Sequence, residues 1–281
     1  MTHSGPVIGK RDNLKVILCR ECGFSHLDPI PDNTSLYANS VFFHDLKPDY
    51  GAEYNEDRVW WHAVYSDWLS LVEDITVGRL LLDVGAGTGD FVNCALEHKW
   101  HAYGIEPDRD MANKHRLFCG GYRDFTPMHG YDVISAHWVL EHLQDPKDFL
   151  RWARDTLMDK GLLLVTIPND FTHLQQRAMD AVGRPFYWLD LTHINYWSGV
   201  TFSEFLKRNG FEPRRFYGSW EPERYLIEGR NYLSDHTLGR KLHKERMDTE
   251  LGWGAIHRRQ KMKSMGMLYS GRDLTFVAVK R

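Results

Sequence analysis

Three glycines alternate with small residues directly behind an apolar run, in the segment LLDVGAGTGDF at residues 81–91. The run predicts a buried strand that turns sharply into a helix, with Asp83 close to the end of the strand. Glycine tolerates the positive φ angles of such a turn, and its missing side chain lets a ligand approach the backbone. The free N–H groups of the following helix would point at that ligand. The segment therefore predicts a binding site for a nucleotide-like molecule.

The position that a dinucleotide fingerprint gives to its third glycine is Asp90 in this chain. An acidic side chain there disfavours a pyrophosphate and favours a ligand with a positive charge and no phosphate. The segment resembles motif I of the class I S-adenosylmethionine-dependent methyltransferases. The resemblance implies that S-adenosylmethionine is the cofactor and that Asp83 holds either the loop or the cofactor's ammonium group. It also implies cofactor contacts from Gly85, Ala86, Gly87, Gly89 and Phe91.

Glu106 ends the second apolar strand, 17 residues after Gly89, and is followed by Pro107. This is close to the spacing at which an acid meets ribose hydroxyls in dinucleotide-binding folds, and one carboxylate can accept hydrogen bonds from both hydroxyls. We therefore assign Glu106 and Pro107 to the cofactor site; the alternative is an ordinary surface glutamate. Asp124 and Phe125 fall where the family often contacts adenine, with the acid accepting from the exocyclic amine and the ring covering the base.

A second family signature follows the fourth predicted strand. The run YDVISAHWVLEH at residues 131–142 resembles the pattern FDxI…xxxLEH, with Tyr131 in the place of phenylalanine. The resemblance implies that His137 and Trp138 contact the cofactor beside the methyl-transfer channel. His142 is assigned to the cofactor site on the same ground, and its alternative role is to orient the loop.

The candidate general base is His193, in the run DLTHINYWS at residues 190–198. An H-x-x-x-[FW]-S pattern recurs in small-molecule and sugar methyltransferases, and this resemblance implies that the histidine reaches the acceptor side. A hydroxyl acceptor needs a base within hydrogen-bond reach, and histidine titrates near neutrality. The reserve candidates for a catalytic role are Tyr196, Asp170 and His173.

Cys19, Cys22 and His26 place three zinc-type ligands in one short segment, with C-x2-C spacing between the cysteines. A structural zinc site takes four ligands, so His3 or His44 would have to complete it. The alternative is a pair of reduced cysteines that pack a small loop. The segment resembles the second half of the N-terminal zinc module of several sugar and surface-polysaccharide methyltransferases, which implies zinc as a further cofactor.

Strand and helix patterns alternate from Gly78 onward, which predicts a doubly wound, parallel α/β sheet. With the resemblance, the expected fold is Rossmann-like, with seven strands and an antiparallel last strand at residues 273–280 between the fifth and sixth. Residues 1–15 lack periodicity and are interpreted as a loose arm. The predicted divisions are an N-terminal arm with the Cys/His turn (1–50), the methyltransferase core (51–217 and 272–281) and a helical insertion that could serve as an acceptor-binding lid (218–271).

Basic residues cluster in the predicted insertion, at residues 240–246 and again at Arg258, Arg259, Lys261 and Lys263. Such a cluster could receive an anionic acceptor, for example a phosphorylated or nucleotide-linked sugar. The alternative is a solvated helical face.

The net charge of −3 predicts no general attraction to nucleic acid or to anionic membranes. No apolar run approaches the ~20 residues of a membrane span, and residues 1–10 lack the apolar stretch of a signal peptide. The four scattered cysteines do not suggest a disulfide framework. These observations predict a cytoplasmic protein and leave its oligomeric state open.

Together the motifs predict an S-adenosylmethionine-dependent methyltransferase that methylates oxygen on a sugar, a nucleotide sugar or another small polar acceptor. The closer resemblance is to bacterial methyltransferases associated with surface polysaccharides, through CRECGFSH at residues 19–26 and GRKLHKER at residues 239–246. The alternatives are N- or C-methylation, a nicotinamide-dependent oxidoreductase and a cofactor-binding protein without catalysis. The position of Asp90 counts against the oxidoreductase.

Overall fold

The computed structural model describes residues 3–33, 50–76, 78–115 and 117–281, and gives only the backbone for residues 50–54. His44, one of the two histidines considered above as a zinc ligand, lies outside the described residues. The strands in chain order are β1 Val7–Arg11, β2 Leu14–Leu18, β3 Ser25–Leu27, β4 Leu80–Val84, β5 His101–Glu106, β6 Phe118–Cys119, β7 Tyr131–His137, β8 Leu157–Pro168, β9 Asn195–Tyr196, β10 Phe211–Gly218 and β11 Asp273–Lys280.

The helices are α1 Tyr50–Glu73, α2 Asp90–Glu97, α3 Arg109–His115, α4 Pro146–Thr156, α5 His173–Val182, α6 Gly199–Arg208, α7 Glu223–Ile227, α8 His236–Gly252 and α9 Gly254–Met267, with a 3-10 turn at Leu140–His142. Local signals explain several helix starts. Pro146 opens α4 behind Asp145, whose side chain accepts from two backbone N–H groups. Ser198 caps α6 by accepting from the N–H of Thr201 at 3.3 Å, as its position before the helix predicts.

The main sheet has seven strands in the order β10-β11-β8-β7-β4-β5-β6. Strands β4 to β8 of this sheet pair in parallel. The last strand, β11, lies antiparallel between β8 and β10. The fold predicted from the sequence, a Rossmann-like, mainly parallel sheet with an antiparallel last strand, is confirmed.

The central strands of this sheet are buried on both faces, as their continuous apolar sequences predict. Successive side chains alternate between two cores: Leu81 packs in one and Leu82 in the other. One core contains Trp68 of α1 and Phe91 of α2. The other contains Phe149 of α4 and Phe202 of α6. Helices therefore cover both faces, which leaves the ends of the parallel strands as the edge where a ligand can bind.

A second, smaller sheet has the order β1-β2-β3-β9. Its first strand lies within the segment that the sequence suggested was a loose arm, so that prediction is wrong. Pairing of β1 with β2 and the close packing of Gly9 against the rings of Phe171 and Phe186 stabilise the strand. Neither interaction leaves a periodic signal in residues 1–15. Strand β9 comes from far along the chain and ties the N-terminal segment to residues 195–196.

The segment 218–271 contains α7, α8 and α9, as the predicted helical insertion requires. Several of its basic residues contact helix α1. Arg258 is 4% exposed, and its Nε donates to Asp67 of α1 at 2.7 Å. Arg240 and His243 pair with Asp57 of α1 at 3.2 and 2.6 Å. These contacts account for part of the basic cluster as packing of the insertion onto the core.

No described helix is both long and apolar enough to cross a membrane.

Candidate functional site

The turn after β4 follows the backbone path that its glycines predict. Gly85, Gly87 and Gly89 have φ angles of 72°, 51° and 72°, which glycine adopts without strain. A Cβ added to Gly85 would come within 2.6 Å of Val139, whereas one added to Gly87 would meet nothing within 4 Å. The turn is therefore tightly packed at Gly85 and has free space at Gly87, where a ligand can approach the backbone.

Glu106 lies at the end of β5 and faces this turn. Its Oε2 accepts from the N–H of Gly87 at 2.7 Å, and its Oε1 accepts from the N–H of Asp108 at 2.9 Å. The side chain is 5% exposed. Burial raises the pKa of Glu106 to about 7, against the two backbone hydrogen bonds that lower it. A carboxylate has about four acceptor positions, so both oxygens retain capacity for ligand hydroxyls.

Asp83 is a second buried carboxyl group beside the turn, with 3% exposure. The hydroxyl of Ser135 donates to its Oδ1 at 2.7 Å. Burial, with a smaller contribution from the charge of Glu106, raises the pKa of Asp83 to about 7, against the Ser135 hydrogen bond that lowers it. Among the described residues, no lysine or arginine forms an ion pair with either carboxyl group. Because an opposite charge stabilises a buried carboxylate, the pair fits a ligand that carries positive charge.

Asp124 and Phe125 lie in the loop that follows β6, whose residue Cys119 pairs with Glu106. The Oδ2 of Asp124 accepts from the N–H of Gly121 at 2.9 Å. The ring of Phe125 packs edge-on against Phe118 at 5.2 Å between centroids. The two predicted adenine contacts thus lie in the loop that follows the strand paired with the end of β5, where Glu106 stands.

An aromatic wall flanks the end of β7. His137 stacks on Trp68 with 4.3 Å between ring centroids and meets the edge of Phe91 at 4.6 Å. Burial lowers the pKa of His137 to about 3, so the imidazole is neutral at physiological pH. Trp138 has a φ of 54°, and its Nε1 donates to Asp273 at 3.0 Å. Phe91 directly follows the glycine turn at residues 85–89, which we call the cofactor turn. Its contact with His137 therefore connects that turn to the residues that follow β7.

Three ionisable side chains meet just after this wall: Glu141, His142 and His193. One potential ligand atom of each lies within 4.8 Å of the others. The Nδ1–H of His142 donates to the carbonyl of Thr192 at 2.7 Å, which leaves the Nε2 lone pair 3.9 Å from Glu141 Oε1. The ring of His193 packs edge-on to His142 at 4.9 Å.

Burial shifts the pKa values of Glu141 and His142 away from their usual ranges. Glu141 is 0% exposed, and neither of its carboxyl oxygens has a hydrogen-bond partner among the described residues. Burial raises the pKa of Glu141 well above its usual range. Burial, with a contribution from His193, lowers the pKa of His142 to about 3. Glu141 was missed in the sequence, although it stands inside the LEH run that singled out His142.

The other three catalytic candidates have different surroundings. Asp170 is 1% exposed and accepts from Arg272 at 3.1 Å and Gln175 at 3.3 Å. Tyr196 is 1% exposed, and its hydroxyl donates to the carbonyl of Asp190 at 3.1 Å. His173 is exposed at the start of α5. Of the four candidates, His193 is the one that lies against other ionisable groups of the turn after β7.

The N-terminal cysteines meet two histidines. The Nδ1 of His3 lies 3.5 Å from Cys19 Sγ and 3.4 Å from Cys22 Sγ. His26 completes a group whose four ligand atoms all lie within 4.8 Å of one another. The Nδ1–H of His26 donates to the carbonyl of Leu27 at 2.7 Å, and its Nε2 is buried without a hydrogen-bond partner among the described residues. The donor set and its geometry fit a zinc ion.

Comparison with known proteins identifies the domain. A family model described as "Methyltransferase domain" matches residues 60–215. An uncharacterized methyltransferase of Geobacillus sp. (strain WCH70) is 30% identical over 177 residues, which are 58% of this chain and 81% of that protein. A second, from Geobacillus kaustophilus (strain HTA426), is 29% identical over 164 residues, which are 53% of this chain and 76% of that protein.

Solved structures share the fold. The magnesium protoporphyrin IX methyltransferase of Synechocystis PCC 6803 with bound S-adenosylhomocysteine has a TM-score of 0.53 at 13% identity, covering 86% of this chain and 97% of that one. A plantazolicin methyltransferase in complex with S-adenosylhomocysteine also has a TM-score of 0.53 at 13% identity, covering 87% and 93%.

The buried acids at the glycine turn fit a cationic nucleoside ligand, and the matched domain spans the strands that carry them. The chain therefore belongs to the methyltransferase-domain family and is an S-adenosylmethionine-dependent methyltransferase.

Proposed function

We propose that the enzyme transfers a methyl group to a hydroxyl oxygen of a small polar acceptor, with sugars and nucleotide-linked sugars of surface-polysaccharide precursors as its substrate class. The observation that carries this proposal is the position of His193, 4.9 Å between ring centroids from His142, in the turn beyond the aromatic wall. A neutral hydroxyl is a weak nucleophile that must lose its proton as it attacks, whereas a neutral amine can attack before it loses a proton, so a histidine base there favours oxygen as the acceptor.

The cofactor binds, in this proposal, at the turn after β4. Glu106 accepts from the ribose hydroxyls, and Asp83 faces the positively charged end of the molecule. The raised pKa of each carboxyl group, about 7, supports these roles because a cationic ligand offsets the cost of a buried carboxylate. The remaining proposed contacts are Gly85, Ala86, Gly87, Gly89, Phe91, Pro107, Asp124, Phe125, His137, Trp138 and His142.

S-adenosylmethionine supplies an activated methyl group and its own leaving group, so the protein's task is alignment and proton removal. The acceptor oxygen forms its bond to the methyl carbon as the carbon–sulfur bond breaks, and the hydroxyl proton passes to the imidazole of His193. His142 is a poor base, since its pKa is held at about 3. We place His193 ahead of the reserve candidates Tyr196, Asp170 and His173 because it lies beside His142 in the turn that follows the aromatic wall.

The test measures S-adenosylhomocysteine release with a panel of free sugars, sugar phosphates, nucleotide-linked sugars and simple amines. We expect release with at least one sugar-type acceptor and, by NMR of the product, a new methyl ether. Release with amines alone, or a methyl group on carbon, would overturn the assignment to oxygen. Cofactor binding by calorimetry with no release from any acceptor would favour the non-catalytic alternative.

We also propose that Cys19, Cys22 and His26 hold a structural zinc ion, as their types and spacing suggest. The proposal is supported by the His26 tautomer, whose Nδ1–H is engaged by the Leu27 carbonyl and whose Nε2 therefore carries the lone pair a metal needs. This ion takes no part in methyl transfer itself.

A further inference from the structure

We propose that His3 is the fourth zinc ligand and that the ion, by closing the small sheet, positions the loop that carries His193. The zinc site is argued from the distances between its ligands and does not depend on the proposed function. The consequence for catalysis does rest on the proposed function, in which His193 removes the acceptor proton.

The first step is the fit of His3. Zinc bonds of about 2.3 Å to sulfur and about 2.0 Å to nitrogen, at tetrahedral angles, hold a sulfur and a nitrogen ligand about 3.5 Å apart. The Nδ1 of His3 lies 3.5 and 3.4 Å from the sulfurs of Cys19 and Cys22. Two thiolates and two neutral imidazoles around Zn²⁺ also leave no net charge, which suits ligands as buried as Cys19 and His26, each 1% exposed.

The second step is what holds His3 there. Backbone hydrogen bonds join the adjacent segment to the cysteine strand: Arg20 N–H donates to Ser4, and Leu18 N–H donates to Pro6, both at 2.9 Å. Glu21 accepts from the backbone and hydroxyl of Ser4 at 3.0 and 2.9 Å. His3 is therefore fixed over the cysteines by its neighbours, so the site does not depend on His44.

The third step leads from the metal ligands to the candidate base. His26 pairs with Asn195 across the β3–β9 ladder, and Leu27 N–H donates to the carbonyl of Ile194 at 2.8 Å. Ile194 directly follows His193 in the chain. A ligand of the ion thus lies on the strand that fixes the backbone next to the base.

The fourth step joins that backbone to the other members of the cluster. Ile194 N–H donates to the carbonyl of Glu141 at 2.7 Å. The side-chain amide of Asn195 donates to the carbonyls of Leu140 and Leu143 at 2.9 and 2.7 Å. The segment 193–195 is therefore held between the zinc ligands and the turn of Glu141 and His142. Loss of the ion should release one side of this arrangement and let His193 move relative to His142.

The metal content is measured first, by mass spectrometry of protein purified without chelators. We expect about one zinc per chain, reduced severalfold in His3→Ala and in Cys22→Ser. The matched control is Cys119→Ser, an exposed cysteine of β6, which should keep its zinc. A wild-type protein without zinc after purification and after addition of zinc chloride would overturn the site. Full zinc content in His3→Ala would overturn His3 as the fourth ligand.

The coupling is measured by hydrogen exchange on the wild-type protein before and after zinc removal by a chelator. We expect the amides of Leu27, Ile194 and Tyr196 to exchange at least about tenfold faster, because their opening free energy falls, while the amides of β4 stay protected. Unchanged exchange at Ile194 in zinc-free protein that still binds S-adenosylmethionine would overturn the coupling. Neither the zinc content nor the hydrogen exchange depends on the acceptor. A failure of the zinc proposal can therefore be distinguished from a failure of the proposed function.

The catalytic consequence is tested with His3→Ala once an acceptor is known. We expect kcat to fall while the Kd for S-adenosylmethionine stays within about twofold of wild type, because no hydrogen bond or ion pair among the described residues joins the turn at residues 85–89 to the proposed zinc ligands. An unchanged kcat in a zinc-free variant would show that the ion stabilises the sheet without positioning His193, and would overturn this part of the proposal.

Discussion

The proposed cofactor side of the site and Asp170, on its proposed acceptor side, differ in the charged partners of their buried carboxyl groups. At the cofactor turn, Asp83 and Glu106 are buried with no ion-pair partner among the described basic residues, and burial raises both pKa values to about 7. On the acceptor side, Asp170 is buried but accepts from Arg272 at 3.1 Å. The comparison teaches that the proposed cofactor side lacks a positive charge, which a cationic ligand can supply, whereas Arg272 offsets the charge of Asp170. Glu141, also on the proposed acceptor side, has no hydrogen-bond partner among the described residues, and burial raises its pKa well above its usual range.

The acceptor side should show the largest effect, on turnover. Replacing His193 with Ala removes the proposed base, and general base catalysis typically contributes 10²–10⁴-fold, so we expect kcat to fall by about that factor. The Kd for S-adenosylmethionine should stay within about twofold, because the buried acids remain in place. The measurement is S-adenosylhomocysteine release together with calorimetry.

The matched control for that variant is His62→Ala. His62 is an exposed histidine of α1 that pairs with Glu97, and its loss should leave kcat unchanged. If His193→Ala turned over as fast as wild type, His193 would not be the general base. The proposed acceptor side would then have no assigned catalytic residue.

The cofactor side should respond in affinity. In Glu106→Gln the amide oxygen can still accept from the Gly87 or Asp108 N–H, so the turn should persist. The charge and one acceptor group are lost, and hydrogen bonds to charged groups contribute about 1.5–3 kcal/mol. We therefore expect the Kd for S-adenosylmethionine to rise about 10–100-fold by calorimetry. Glu97→Gln, on the exposed face of α2, is the control; an unchanged Kd in Glu106→Gln would contradict the ribose assignment.

The smallest effect should be on the stability of the cofactor-free protein. The pKa of Asp83 is raised from 3.8 to about 7 by burial, so the folded state holds this proton more tightly than the unfolded state. The free energy of unfolding should therefore decrease as the pH rises from about 4 to 7 and change little above that. Asp83→Asn removes this contribution and keeps an acceptor for the Ser135 hydroxyl.

We accordingly expect Asp83→Asn to have a higher Tm than wild type at pH 8 without cofactor, and a smaller difference at pH 5. The same variant should bind S-adenosylmethionine more weakly than wild type, because the cation loses its carboxylate partner. Thermal unfolding with and without ligand tests both points, with the exposed Asp155→Asn as control. A lower Tm of Asp83→Asn at pH 8 would mean that Asp83 stabilises the fold, and the proposed contrast would fail.

Most of the fold could be predicted because it depends on local patterns. Apolar runs identified the parallel strands β4, β5, β7 and β8, and the capping residue Ser198 identified the start of α6. Strand β1 could not be predicted, because it is stabilised by pairing with β2 and by the packing of Phe171 and Phe186 on Gly9. The role of the basic residues in the insertion could not be predicted for a similar reason. Their partners, such as Asp57 and Asp67, lie on α1, which is far away in sequence.

The sequence alone determined the cofactor half of the protein. Asp83, the three glycines and Glu106 belong to consecutive strand–turn–helix units, so their spacing along the chain fixes their proximity in space. Only the tertiary structure brought together the residues of the proposed acceptor side and those of the proposed zinc site. His3, His26, Glu141 and His193 are far apart in sequence and approach through backbone hydrogen bonds between segments that carry no shared periodicity. Such pairing depends on the assembled fold, which is why Glu141 and the position of His3 beside the two cysteines became visible only there.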